Sequence, residues 1–237
     1  MTINKFSVPA KFWSEDRNLK WLLVALVLDM FILDPLVSVF TRGLALTVIN
    51  SLAFAVVLFL GLLTLTRHKV IQIIFAGITV IIISVRFGYF IFREDWLLVW
   101  DILLSMASLI AFVIVLLIYV YQEGPVTRHR IGGAIAAYLL IALACAFGYL
   151  LIELLIPGAF HFPDSAPRIT DMRFVRTFYY FSVSTLTTVG YGDVTPVHPF
   201  ARNLAMMEAL IGQLYPATLI ARLVTLHIAT GRTNKDR

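Results

Sequence analysis

Apolar residues run along this chain in long blocks separated by short polar breaks. A helix rises 1.5 Å per residue, so about 20 mostly apolar residues cross the hydrocarbon core of a bilayer. Six blocks have that character: 21–40, 44–66, 70–87, 96–121, 131–156 and 199–229. The third is the shortest, and the last is interrupted by Gly212 and Pro216. Between the fifth and sixth blocks the chain is too long for a turn. Its first part, 157–167, is turn-rich and polar; its second, 171–187, is aromatic, rich in Ser and Thr, and helical in pattern. The helical part, about 14 residues, is too short to span a bilayer and reads as a re-entrant segment. The first block is too long for a signal-peptide core, and no small-residue cleavage site follows it.

Composition supports the same picture. Apolar residues make up 60% of the 237 and charged residues 14%, against about 45–50% and about 25% in ordinary globular domains. A soluble protein of this size could not bury so much apolar surface, and a disordered one would carry more charge. The net charge of +5 does not point to nucleic acid, because the basic residues sit mostly in short segments between apolar blocks. With the N-terminus inside, the inner segments hold 11 Lys and Arg and the outer segments 5. That asymmetry predicts a multi-pass protein of the cell membrane with both termini cytoplasmic. The single cysteine, Cys145, excludes an intrachain disulfide and reads as a small buried apolar residue. Residues 1–20 mix charges with Phe6, Phe12 and Trp13, which suits a segment lying on the inner membrane surface.

The chemistry lies directly after the short helix, in Thr187-Thr188-Val189-Gly190-Tyr191-Gly192-Asp193. Non-helical backbone at membrane depth is tolerated where it lines water or is buried in protein. For successive carbonyls to face one axis, the backbone must alternate in handedness. Gly190 and Gly192 accept left-handed torsions without steric cost. A short helix with its C-terminus aimed at mid-membrane adds partial negative charge, which favours a cation.

This string resembles the selectivity filter of the potassium channel family, Thr-Val-Gly-Tyr-Gly, in full over Thr188–Gly192. The resemblance implies that K+ is the permeant ion and that no cofactor is needed. It implies K+ sites formed by the carbonyls of Thr188, Val189, Gly190 and Tyr191, with the Thr188 hydroxyl at the inner end. Val189 and Tyr191 would face away and pack behind the filter. One string per chain is one quarter of a ring, so a homotetramer is expected. The fold class implied is an all-α membrane protein of six transmembrane helices plus a re-entrant pore helix and an extended selectivity filter.

By the same resemblance, Thr187 stands behind the filter and Asp193 at its outer mouth, where it usually pairs with an aromatic donor on the pore helix. A tryptophan pair common in the family is Tyr180-Phe181 here, of which Tyr180 can donate a hydroxyl. An acidic residue that some members carry behind the filter is Ser184. Glu153 is expected to accept hydrogen bonds from the pore-loop region. Gly212 falls at the family's hinge-glycine spacing, 19 residues after Asp193. Pro216, four residues further on, removes the backbone hydrogen bond to the Gly212 carbonyl, so a bend is expected there as a gating hinge or a static kink. Leu219, Ile220, Leu223 and Val224 are candidates for an apolar inner constriction. Glu208 faces either the short helix or the axis.

Four helices before a two-helix pore resemble the voltage-gated plan, yet the fourth block contains no Lys or Arg. A helix that moves no charge through the field extracts no work from the voltage, so steep voltage gating is not expected. Asp34, Arg86 and Asp101 share the outer half of the membrane and are expected to form a buried charge cluster. Asp29 lies near mid-membrane with no obvious partner, and His161 and His198 are expected in solvent outside. The organisation read from these features is an N-terminal segment 1–20, a peripheral four-helix domain 21–121, a linker 122–130, a pore domain 131–230 and a tail 231–237. The linker is too short and broken for a long lever helix, so each peripheral bundle is expected beside its own subunit's pore. The tail is too short for a ligand domain, which leaves gating to the membrane segments, the pore, or an unidentified regulatory subunit or ligand. No nucleophile–base pair, metal-ligand pair or phosphate loop suggests an enzyme. A potassium transporter subunit would carry four degenerate filter segments per chain, and a weakly selective cation pore would not need an intact Gly-Tyr-Gly.

Overall fold

The structure is a computed structural model, and it describes residues 18–33, 36, 49, 52–55, 57, 61, 69–92, 94–122, 128–162 and 172–233. It is predominantly helical. Helix α1, Asn18–Leu28, runs on into a π-helical turn, Asp29–Leu33. The remaining helices are α2 (Lys69–Phe92), α3 (Asp95–Tyr121), α4 (Arg128–Leu155), α5 (Met172–Leu186) and α6 (Pro199–Thr233). Two short strands, β1 (Phe160–His161) and β2 (Thr195–Pro196), pair antiparallel.

Among the described residues, four helices are long and apolar enough to cross a membrane: Ile73–Phe92, Asp95–Tyr121, Arg130–Leu155 and Pro199–Arg222. Of the first expected span, the helical part described ends at Leu33. Most of the second, 44–66, lies outside the described residues. The third was expected to stop at 87, but α2 continues to Phe92 because Tyr89, Phe90, Ile91 and Phe92 extend its apolar run. Helix α3 starts at Asp95, with Glu94 as its extended N-cap. Helix α4 begins at Arg128, inside the stretch expected to be linker. Helix α6 continues from Pro199 to Thr233 with Pro216 inside it.

Helix α4 is the hub: α1, α3, α5 and α6 all pack along it. Its buried positions include Ala134, Ala136, Ala137, Ala142 and Ala146. Small side chains let helices approach closely, which matters where lipid removes the hydrophobic drive between them. On α3 the buried face is Asp101, Ile102, Ser105, Leu109, Phe112 and Leu116, a three-and-four spacing. Its opposite face exposes Ile110, Ile114 and Ile118, and α2 exposes Ile73, Val80 and Ile81. An apolar exterior of this extent suits lipid contact.

The end of α3 is tied to α6 within one chain. Arg222 of α6 donates to the main-chain carbonyls of Tyr121 and Gln122, and its guanidinium lies 5.0 Å from the centroid of the Tyr121 ring. The Tyr121 and Thr218 hydroxyls are 3.3 Å apart. A cation at a helix C-terminus satisfies carbonyls that the helix itself leaves free.

Candidate ion-conduction site

The site is built on α5, a helix of 15 residues. Its buried stripe is Phe174, Phe178, Phe181, Ser182 and Leu186. These phenylalanines meet Tyr149, Phe160 and Phe162 in edge-on contacts, including Phe160–Phe178 at 4.8 Å and Tyr149–Phe181 at 4.9 Å between centroids. Offset and edge-on pairs stabilise beyond simple burial. This cluster holds the short helix against α4, and the β1–β2 pairing ties the segment after α4 to the segment before α6. Ala159 O accepts from Val197 N and His198 N. At the start of α6, His198 Nδ1 accepts from Phe200 N at 3.3 Å, so this half-buried histidine caps a helix rather than standing in solvent; His161 is exposed.

A helix leaves its last four carbonyls without internal partners, and here each finds one. Val183 O accepts from the Thr187 amide at 3.0 Å and hydroxyl at 2.7 Å. Ser184 O accepts from Val189 N at 2.8 Å and Gly190 N at 3.1 Å, and Thr185 O from Thr188 N at 3.0 Å. Leu186 O accepts from the Tyr138 hydroxyl of α4 at 3.0 Å. The strand after α5 is thus folded back onto the end of its own helix. The Ser184 hydroxyl donates to Phe181 O at 2.9 Å, so it is the Ser184 carbonyl that holds Val189 and Gly190.

Backbone handedness alternates along the motif. Thr188, Gly190 and Gly192 have φ of 61°, 55° and 80°, and no positive φ occurs at Val189 or Tyr191. Alternation of this kind turns consecutive carbonyls toward one side. The sequence marks the two glycines; Thr188 is the addition, a β-branched residue held in a conformation rare for its type. In the single chain, residues 187–193 are all exposed. Val189 is 54% and Tyr191 70% exposed, so one chain does not supply the expected packing behind the filter. Tyr191 stacks on Tyr180, centroids 5.7 Å apart and planes at 12°. Asp193 lies beside the Tyr180 hydroxyl, and its Oδ1 accepts from Val194 N at 3.0 Å.

Glu153 is buried and accepts from Gly158 N at 2.9 Å and Phe160 N at 3.0 Å, closing the turn after α4. Glu208, fully buried, faces the short helix: the Ser182 and Tyr149 hydroxyls both donate to it. An acid therefore stands against α5, supplied by α6 rather than by position 184. Its signal in the sequence is a carboxylate inside an apolar block.

Gly212 has a packing role. A Cβ built on it lies 1.9 Å from the Leu186 carbonyl oxygen and 2.8 Å from the Leu186 carbonyl carbon, so only glycine lets α6 pass the end of α5. That oxygen is also held by Tyr138 and cannot retreat freely. Gly212→Ala is expected to destabilise each subunit by about 1–3 kcal/mol, the usual cost of overpacking. The check is the apparent Tm of the detergent-solubilised protein; a glycine acting only as a hinge would leave Tm unchanged and shift gating alone. Further along, Ile220 and Val224 lie on the exposed face of α6 with Gln213 and Ala217, while Leu219 packs toward the core.

In the periphery, Arg86 Nε lies 3.1 Å from both Asp101 carboxylate oxygens and Arg86 Nη2 is 3.3 Å from Ser105 Oγ. The Phe54 ring centroid is 5.3 Å from the guanidinium. Asp34, the third expected member, lies outside the described residues. Asp29 opens the π-helical turn, half-buried and engaged with neighbouring groups rather than unpartnered.

Residues 137–228, from α4 through α6, match the family described as "Ion channel". Protein LctB of Bacillus caldotenax is 35% identical over 88 residues, 37% of this chain and 64% of that protein. Protein LctB of Geobacillus stearothermophilus is 51% identical over 45 residues, 19% of this chain and 33% of that protein. The inward rectifier potassium channel Kirbac3.1 of Paramagnetospirillum magnetotacticum is 47% identical over 36 residues, 15% of this chain and 12% of that protein. The matches span less than two thirds of each relative's length. Together with the apolar helices, these similarities support an ion-channel domain in a multi-pass membrane protein.

Proposed function

We propose that the chain is one subunit of a homotetrameric, potassium-selective channel that conducts K+ passively across the cell membrane, with both termini cytoplasmic and without steep voltage gating. The observation that carries this reading is the alternating handedness of residues 188–192 at the end of a half-length helix. Four such strands around an axis present rings of carbonyl oxygens, which replace the hydration shell of a hard monovalent cation. The exposure of residues 187–193 in one chain fits a site completed by neighbours. The relative named as a potassium channel agrees with the choice of ion.

The test is cation flux through the purified protein in liposomes, with K+ and Na+ in competition. K+ flux well above Na+ flux is expected. Comparable fluxes would instead establish a weakly selective cation channel, and uptake against a gradient would indicate a transporter subunit.

A further inference from the structure

Resting on the channel reading, we propose that Gln213 is a positioning residue for permeation: its amide holds the Thr188 hydroxyl, the innermost oxygen of the filter, and its copies form a polar ring that a K+ ion meets on the α6 side of the filter. Gln213 Nε2 donates to Thr188 Oγ1 at 3.2 Å. Both residues are exposed in the single chain, so the bond faces open space rather than the protein core.

Three features give this contact meaning. Its geometry is held from behind, because the adjacent Gly212 is seated against Leu186 O and Tyr138 grips the same oxygen. Thr188 sits in a left-handed conformation, costly for a β-branched residue, so an external hold on its side chain matters more than usual. The polarity also suits a cation path. A threonine hydroxyl has two lone pairs and one hydrogen; the amide uses one lone pair and leaves the other for an ion. The Gln213 carbonyl oxygen remains as a further acceptor.

The position is also chemically distinct. Between Met206 and Ala217 the exposed residues of α6 are Met206, Met207, Leu210, Gln213, Leu214 and Ala217, and Gln213 alone is polar. An apolar side chain would suffice for packing there. An amide aimed at the filter's first hydroxyl lowers the cost of shedding water from K+ before it enters.

The experiment is single-channel recording of the full-length protein in planar bilayers, with symmetric K+, for the parent, Gln213→Leu and Gln213→Glu. For K+ entering from the α6 side, conductance is expected to fall about three- to tenfold in Gln213→Leu, the weight of one neutral hydrogen bond. In Gln213→Glu it is expected to exceed the parent, because four carboxylates attract the ion. The affinity of Ba2+ block from the same side is expected to follow the same order, Glu above Gln above Leu. Conductance and Ba2+ affinity within twofold across all three proteins, or a reversed order, would overturn the proposal. If Gln213→Leu does not assemble, Gln213→Met, closer in length, takes its place. A parent protein without K+ preference would defeat the channel reading itself, whereas a K+-selective parent with indifferent Gln213 variants would defeat only this inference.

Discussion

Gly190→Ala is expected to lower potassium flux more than about 100-fold and to bring the K+ to Na+ flux ratio close to one. The reason is torsional. Nothing stands within 4 Å of a Cβ built at this position, yet its φ is 55°. An L-residue in the left-handed region costs about 1–2 kcal/mol, or roughly 4–8 kcal/mol over a ring of four. The strand relieves that cost by turning the peptide, and a carbonyl then leaves the ion path. Gly77→Ala supplies the control: Gly77 lies mid-helix in α2 with ordinary torsions and open space around it. There alanine is expected to conduct as the parent does. Proteoliposome flux on the two variants and the parent checks this; selective K+ flux surviving in Gly190→Ala would contradict it.

The second large effect is in the periphery. The Arg86–Asp101 pair is buried, with side chains 11% and 10% exposed, and among the described residues Ser105 and Phe54 lie against it. Removing one partner leaves a mostly buried charge without its counter-ion. Arg86→Met or Asp101→Leu alone is expected to destabilise by about 3–5 kcal/mol. The double variant is expected to recover most of that loss, since an apolar pair of similar volume is often as stable as a buried ion pair. Thermal unfolding in detergent, compared across the two single variants and the double, reads this directly. A double variant whose loss equals the sum of the singles would show that the two side chains act independently.

Much of the fold follows from simple periodicity, because block length against bilayer thickness is a strong constraint. The exceptions are instructive. The expected end of α2 at 87 falls short, because Tyr89–Phe92 extend its apolar run. Pro216 removes one backbone donor, and α6 is helical on both sides of it. The glycines of the filter announce themselves through a need for positive φ. Gly212 does not: its requirement is a close approach between α6 and the end of α5, visible only once both are placed. The same holds for Glu208 with Ser182 and Tyr149, and for Gln213 with Thr188. Each pair joins different elements, and in helices that are apolar all round the sequence carries little phase information to say which face meets which. Arg86 and Asp101 are an intermediate case. Two opposite charges at similar depth suggest each other on energetic grounds, even without the rotation of their helices.

Cryo-electron microscopy of the protein in lipid nanodiscs tests the central claim most directly. The account predicts four chains about one axis, with the carbonyls of residues 188–191 from each chain facing it and cation density along the line between them. A monomer or dimer, or a tetramer in which these strands stand apart from the symmetry axis, would contradict it.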